Sequence, residues 1–205
     1  MPKGVELRYD GVMNEVGLRE RTRLAVRADI SKTAMDMFLA QGFDATTVDE
    51  IAERVGVSRR SLFRYFTSKE EMAAADIAVR GDEMLAALKE RPTDESPWDS
   101  LYAAAFSSDG RGPTSSKDRT LQVAQLLRQT PALQRFRLEK QKRWQDLLAP
   151  EIALRIHGDG RDIAARGIVA TALACLDASV DIWVESGGEG DVLDVFRTMI
   201  AAVRD

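Results

Sequence analysis

The stretch "TTVDEIAERVGVSRRSLFRYFTSKEE", residues 46–71, holds two short apolar patterns separated by "VGVS". Val48, Ile51, Ala52 and Val55 recur at the spacing of one helical face, and Thr47, three residues ahead of Glu50, makes a capping box at its start. Gly56 ends that helix. Ser58 can cap the next, expected over 58–66, in which Leu62 and Phe66 point inward. Two short helices joined by a tight turn containing glycine form the helix-turn-helix pattern, whose second helix can lie in a DNA major groove.

Charge sharpens that reading. The stretch carries Arg54, Arg59, Arg60, Arg64 and Lys69 with no acid between Glu53 and Glu70, inside a 205-residue chain of formal net charge -4. Screening over about 8 Å at physiological salt means that a phosphate meets the local patch rather than the distant acids. On a helical wheel Arg60, Ser61 and Arg64 fall opposite Leu62 and Phe66, while Arg59 lies nearer the inner side. Arginine pairs bidentately with guanine, serine reaches base edges or phosphates, and Lys69 at the next helix start can neutralise a phosphate. Thr47 adds a hydroxyl and a helix N-terminus, whose free amides attract phosphate. A second reading takes the arginines as a solvated face. The chain is then a helical small-molecule-binding or interaction protein whose helix-turn-helix is structural only, and charge reversal at Arg60 and Arg64 leaves every activity intact.

Upstream, Val26, Ile30, Ala34, Met37 and Phe38 recur at spacings of three and four and predict a helix over 21–41, ended by Gly42. Residues 1–20 read as a flexible arm of mixed charge. Downstream, Ser68 caps a long helix to about Glu90, rich in Ala, Met, Leu and Glu, that leaves the N-terminal unit and enters the rest. "RPTDESP" breaks it, "PWDSLYAAAF" begins another helix, and "SSDGRGPTSSKD" reads as a mobile loop. Helices over about 118–129, 131–156, 162–186 and 191–204 follow, with "HGDGRD" as a turn. No segment alternates as a strand does. The expectation is an all-α chain of about nine helices: a helix-turn-helix domain over 21–67, joined by a long helix to a larger bundle, the second domain being 68–205.

Several function classes lose support. No run of eighteen apolar residues appears and the N-terminus lacks the apolar core of a signal peptide, so a soluble cytoplasmic protein without a membrane partner is expected. One cysteine, Cys175, sits in apolar "TALACLDASV", and the single histidine is His157. A two-histidine zinc site and a Cys/His catalytic dyad lack their parts, and no phosphate-binding glycine loop is present. No metal, cofactor or enzymatic activity is expected.

The residues "GFDATTVDEIAERVGVSRRSLFRYFTSKEEM", 42–72, resemble the DNA-binding signature of the TetR family of transcriptional regulators: the Gly-Phe after the first helix, Thr-Thr at the second, the "VGVS" turn, the aromatics of the third and the Ser-Lys-Glu restart. The resemblance implies a ligand-responsive homodimeric repressor on a palindromic operator in double-stranded DNA, with a C-terminal domain that binds an unknown small-molecule effector. It assigns base or groove contacts to Arg59, Arg60, Ser61 and Phe63 and phosphate contacts to Thr47, Tyr65 and Lys69. Arg64 joins them from the outer face of the wheel. Phe63 stands where many members have tyrosine, so its ring can pack or touch a thymine methyl instead.

The segment "DIAARGIVATALACLDASVDIWVE" is apolar on nearly every side from Ile163 to Val184 and is expected to be buried all round, by the rest of the bundle or by a partner. With the stripe Val192, Val195, Phe196, Met199, Ile200 and Val203 it resembles the two helices, about 162–186 and 191–204, of a family dimer interface. There Ala172, Ala178 and Ser179 would permit close approach. Trp98, Tyr102, Phe106, Leu126, Phe136, Trp144, Cys175 and Asp177 are the candidates to line an effector cavity. Asp177 and Asp181 are acids in an apolar helix and need a partner, an internal Arg or Tyr or a polar ligand.

Overall fold

The structure, a computed structural model, describes residues 9–106 and 117–204, apart from the side chains of 9–16, 76–78 and 106. It divides into two compact units, the first ending at Ala75 and the second starting at Asp76. Among the described residues there are nine helices and no strand. The loop expected near 107–116 lies outside them.

In the first unit α1 (Tyr9–Gln41) packs on α2 (Val48–Val55), and α2 on α3 (Arg59–Leu62). Ile30, Ala34, Met37, Phe38, Ile51, Ala52, Leu62 and Phe66 are buried together with Met72 and Ala73 from the start of α4 (Lys69–Lys89). The start of α1 and the end of the unit differ from expectation. Helix α1 begins at Tyr9, so the arm assigned to 1–20 is helical from there. No proline lies between Tyr9 and Gln41, and the Glu20–Arg23 ion pair and the Thr22 hydroxyl donating to Leu18 O hold the chain in helical turns. The unit boundary falls at 75/76 rather than 67/68, because the first turns of α4 belong to the small core: Ser31 Oγ donates to Met72 O at 2.9 Å, and Arg27 pairs with Glu71 at 2.7 Å.

In the second unit α8 (Arg161–Glu185) is central. It packs against α5 (Pro97–Phe106), α6 (Lys117–Gln129), α7 (Pro131–Ala153) and α9 (Val192–Arg204). By length and composition alone α8 could cross a membrane, with a mean hydropathy of 1.6 over its most apolar window. Here its apolar residues Ala165, Val169, Ala172, Leu173 and Cys175 join one core with Leu88, Leu101, Trp144, Leu148, Ile152, Phe196 and Ile200. It is not buried all round. Ile163 is 79% exposed and Ile182 43%, with Gly167 and Ala174 also open, because none of the described residues covers that face. Ala172 and Ser179, expected to face a partner, are 2% and 0% exposed and face the bundle core; Ala178 is half-buried.

A buried cation closes the end of the bundle. Arg155 donates to Leu88 O at 2.8 Å and Arg91 O at 3.0 Å at the end of α4, to Glu151 O on α7 and to Ser100 Oγ on α5. It thereby adds charged donors to carbonyls at the end of α4 and in the last turn of α7, where a helix runs short of its own N–H groups.

Candidate functional site

The reading head is built from caps. Thr47 Oγ1 accepts from Glu50 N–H at 3.2 Å while the Glu50 carboxylate accepts from Thr47 N–H at 2.8 Å, completing the capping box. These bonds, the backbone N–H of Thr47 first, hold the Glu50 carboxyl below its ordinary pKa. Helix α2 closes at Gly56, whose φ of 77° a side chain would strain. Gly56 N–H donates to Glu53 O and Val57 N–H to Ala52 O, a Schellman pair that swings the chain sharply into α3. Ser58 then caps α3, accepting from Ser61 N–H at 3.1 Å. The expected 58–66 helix is shorter than its pattern: after Leu62 the bonds tighten to Arg64 N–H to Ser61 O and Tyr65 N–H to Leu62 O.

This geometry sorts the candidate contacts. Arg60 and Arg64 are exposed, Ser61 and Tyr65 half-buried, and Phe63 is 41% exposed, while Leu62 and Phe66 beneath them are fully buried. Arg59 pairs with Asp49 on α2 at 2.9 Å and lies 5.6 Å from the Phe63 ring centroid, so part of its charge is spent within the head. Lys69 is turned inward. Its Nζ donates to Phe43 O at 2.6 Å and Thr46 O at 3.1 Å and lies 4.3 Å from the Phe43 ring centroid. Two of its three donors thus hold the α1–α2 loop.

Arg27, which the pattern of the sequence leaves unremarked, is the bracket of the head. It donates to Tyr65 O and to Glu71, and its guanidinium stacks 4.1 Å over the Phe66 ring. Its only sequence signal is a cation on the half-buried face of α1. An open groove of about 430 Å³ between α1 and α2 is lined by Met37, Gln41, Glu50, Glu53 and Arg54, away from the α3 face.

The cavity candidates are less unified. Trp144 and Cys175 belong to the bundle core, and Trp98 and Tyr102 pack against it. Tyr102 stacks on Phe196 at 5.7 Å and accepts from Arg197 at 2.7 Å, and burial raises the Cys175 thiol pKa. Leu126 and Phe136 are half-buried outside that core, and the Phe106 side chain lies outside the described residues. Asp177 and Asp181 find internal partners. Arg137 Nη2 donates to Asp177 at 2.6 Å and reaches Asp181 at 3.4 Å; Arg128 donates to Asp181 and, at 2.8 Å, to Asp177 O. Among the described residues no group of three or more His, Cys, Asp or Glu side chains could hold a metal ion.

The family model described as bacterial regulatory proteins, tetR family, matches residues 30–75, and that of the MftR C-terminal domain matches residues 95–205. The chain belongs to the TetR family. It is similar to the HTH-type transcriptional regulator TcmR of Streptomyces glaucescens, 37% identical over 163 residues that cover 77% of this chain and 72% of TcmR. It is also similar to the transcriptional regulator MftR of Mycobacterium tuberculosis, 28% identical over 80% of this chain and 82% of that one. The crystal structure of Thermus thermophilus FadR, a TetR family repressor in complex with lauroyl-CoA, shares the fold with a TM-score of 0.51 at 22% identity, covering 85% of this chain and 91% of that one. This TetR-family chain is a DNA-binding transcriptional regulator, and its helix-turn-helix is more than a structural element.

Proposed function

We propose that the protein is a homodimeric repressor of the cytoplasm that reads a palindromic operator through α3 and releases it when a small molecule binds the C-terminal bundle. The observation that carries the reading is the exposed Arg60 and Arg64 above the buried Leu62 and Phe66, presented by a fully capped head. Arg60, Ser61, Phe63 and Arg64 take the base edges. Thr47, Tyr65 and the remaining Lys69 donor take phosphates, and Arg59 follows if it leaves Asp49. Its role is regulation rather than catalysis.

The uncovered apolar face of α8, with Val203 of α9 46% exposed, supports a two-fold partner at that surface. Helix α4 runs from the first unit into the second, so an effector that repositions it alters the spacing of two reading heads from the roughly 34–36 Å that successive major grooves require. Coupling of that kind is typically about 1–3 kcal/mol, or 5- to 150-fold in affinity.

The test is selection of binding sites from a random duplex library with purified protein at physiological salt. Enrichment of one palindrome, relaxed at particular positions by Arg60→Ala, is the expected result. No enriched sequence, or a logo indifferent to Arg60→Ala and Arg64→Ala, would overturn the reading.

A further inference from the structure

Helix α7 presents Arg137, Lys140 and Trp144 at spacings of three and four, on one face. Lys140 is half-buried, its Nζ 4.9 Å from the Trp144 ring centroid, and it makes no ion pair with a described carboxylate. Around it lie Arg128, Arg137 and Arg80 against the carboxylate of Asp177, with Asp181 behind, so cations outnumber acids. Burial, and then those arginines, lower the ammonium pKa against the opposing pull of Asp177. Both carboxylates are already engaged by Arg128 and Arg137. Arg137 commits only Nη2 to them, leaving Nε and Nη1 without a partner among the described residues.

The next residue on this face carries a second unmet demand. Trp144 is 6% exposed and its indole Nε1 is a buried donor with no hydrogen-bond partner. Buried donors are nearly always satisfied, because one left unmade keeps its full desolvation penalty. An unpaired cation, uncommitted guanidinium donors and an orphan N–H on one helix face share one remedy: a ligand that brings negatively charged oxygens.

We propose that Lys140, with Arg137 and the Trp144 indole, receives the acid group of the effector, a carboxylate or a phosphate carried by a small molecule. This rests on the reading that the bundle binds an effector, and it deepens that reading by naming the chemistry. The Arg128–Asp181 and Arg137–Asp177 pairs fix α6, α7 and α8 around the site, and the ligand supplies the missing charge.

The experiment follows the indole N–H resonances of full-length, ¹⁵N-labelled protein, with the Trp144 signal assigned by its loss in Trp144→Phe. Inorganic phosphate and octanoate are titrated separately at constant ionic strength. A saturable shift of the Trp144 signal with either probe, kept by Lys140→Arg and weakened at least tenfold by Lys140→Met, is expected. The probe that acts tells phosphate from carboxylate recognition. If neither probe moves the signal, or if it moves equally in Lys140→Met, the proposal is wrong. Operator binding by the wild-type protein is measured alongside: its absence sinks the repressor reading, whereas its presence with a silent Trp144 sinks only the acid site.

Discussion

Two cations of the reading head, Arg60 and Lys69, look interchangeable as basic residues and differ in what they hold. Arg60 touches no described acid and stands in solvent, so Arg60→Ala should leave unfolding within about 0.5 kcal/mol of wild type. Its loss should appear at the operator, as about 1–3 kcal/mol of lost discrimination at one base pair in each half-site. Lys69 holds two backbone carbonyls of the α1–α2 loop, so Lys69→Met should cost about 2 kcal/mol of stability, read by urea unfolding. Its effect on DNA should then follow from a loosened loop as well as a lost phosphate contact. Glu71 adds a pH dependence. Burial pushes its carboxyl pKa up, but Thr67 and the Arg27 guanidinium outweigh that and hold it below the ordinary value. The unfolded chain therefore binds the proton more readily than the folded one. The contribution of Glu71 is complete above the unfolded carboxylate pKa of about 4.3 and is lost as pH falls through the lowered folded value. The stability gap between wild type and Glu71→Gln should be flat at neutral pH and close on acidification; a gap unchanged down to pH 3 would refute this.

Among the helices, the contact of α4 with α7 gives the sharpest expectation. A Cβ at Gly81 would stand 2.2 Å from Trp144 Nε1 and 2.5 Å from Cδ1, so the two helices approach as closely as they do only because residue 81 has no side chain. Gly81→Ala should cost about 1–3 kcal/mol by overpacking, despite the gain in helix propensity that alanine brings. In a Trp144→Phe background the cost should shrink, since the smaller ring frees space and removes the orphan donor. Equal costs in both backgrounds of this double-mutant cycle would show that the contact is not the cause. How much of this was legible in the sequence depended on the range of the interaction. The caps at Thr47, Gly56 and Ser58 and the helix α2 are local and were readable residue by residue. So was the burial of Leu62 and Phe66. The start of α1 at Tyr9 was not, because a segment of mixed charge interrupted by Gly11 and Gly17 gives no apolar period to read. Gly81 gave no local signal of its role, since the ring that demands it lies far along the chain. The inward turn of Lys69 and the bracket made by Arg27 are also long-range, as are the partners of Asp177 and Asp181, whose need for one was evident while its identity was not.

At the level of the whole molecule, α8 poses a question that one chain leaves unanswered. Its core face is filled by Val169, Ala172, Leu173 and Cys175, yet Ile163 and Ile182 stand open on the other side with Gly167 and Ala174 between them. An α-helix with apolar surface on both sides is stable in water when a second partner covers what the first does not. The proposed two-fold dimer supplies that cover, and it also supplies the second reading head. One short α3 offers a few base contacts; two, linked rigidly enough, convert the second contact into an intramolecular event with an effective concentration on the millimolar scale. Ile182→Glu places a charge on the open face without touching the buried core. It should yield a folded monomer by sedimentation, with helical content and the urea transition of the head retained, and its affinity for the full palindrome should fall by a factor of about 10² or more, toward that for a single half-site. Ile182→Leu should keep the dimer and the affinity. A monomeric Ile182→Glu protein that still binds the palindrome like wild type would show that each head reads alone, and the open face of α8 would then need another occupant.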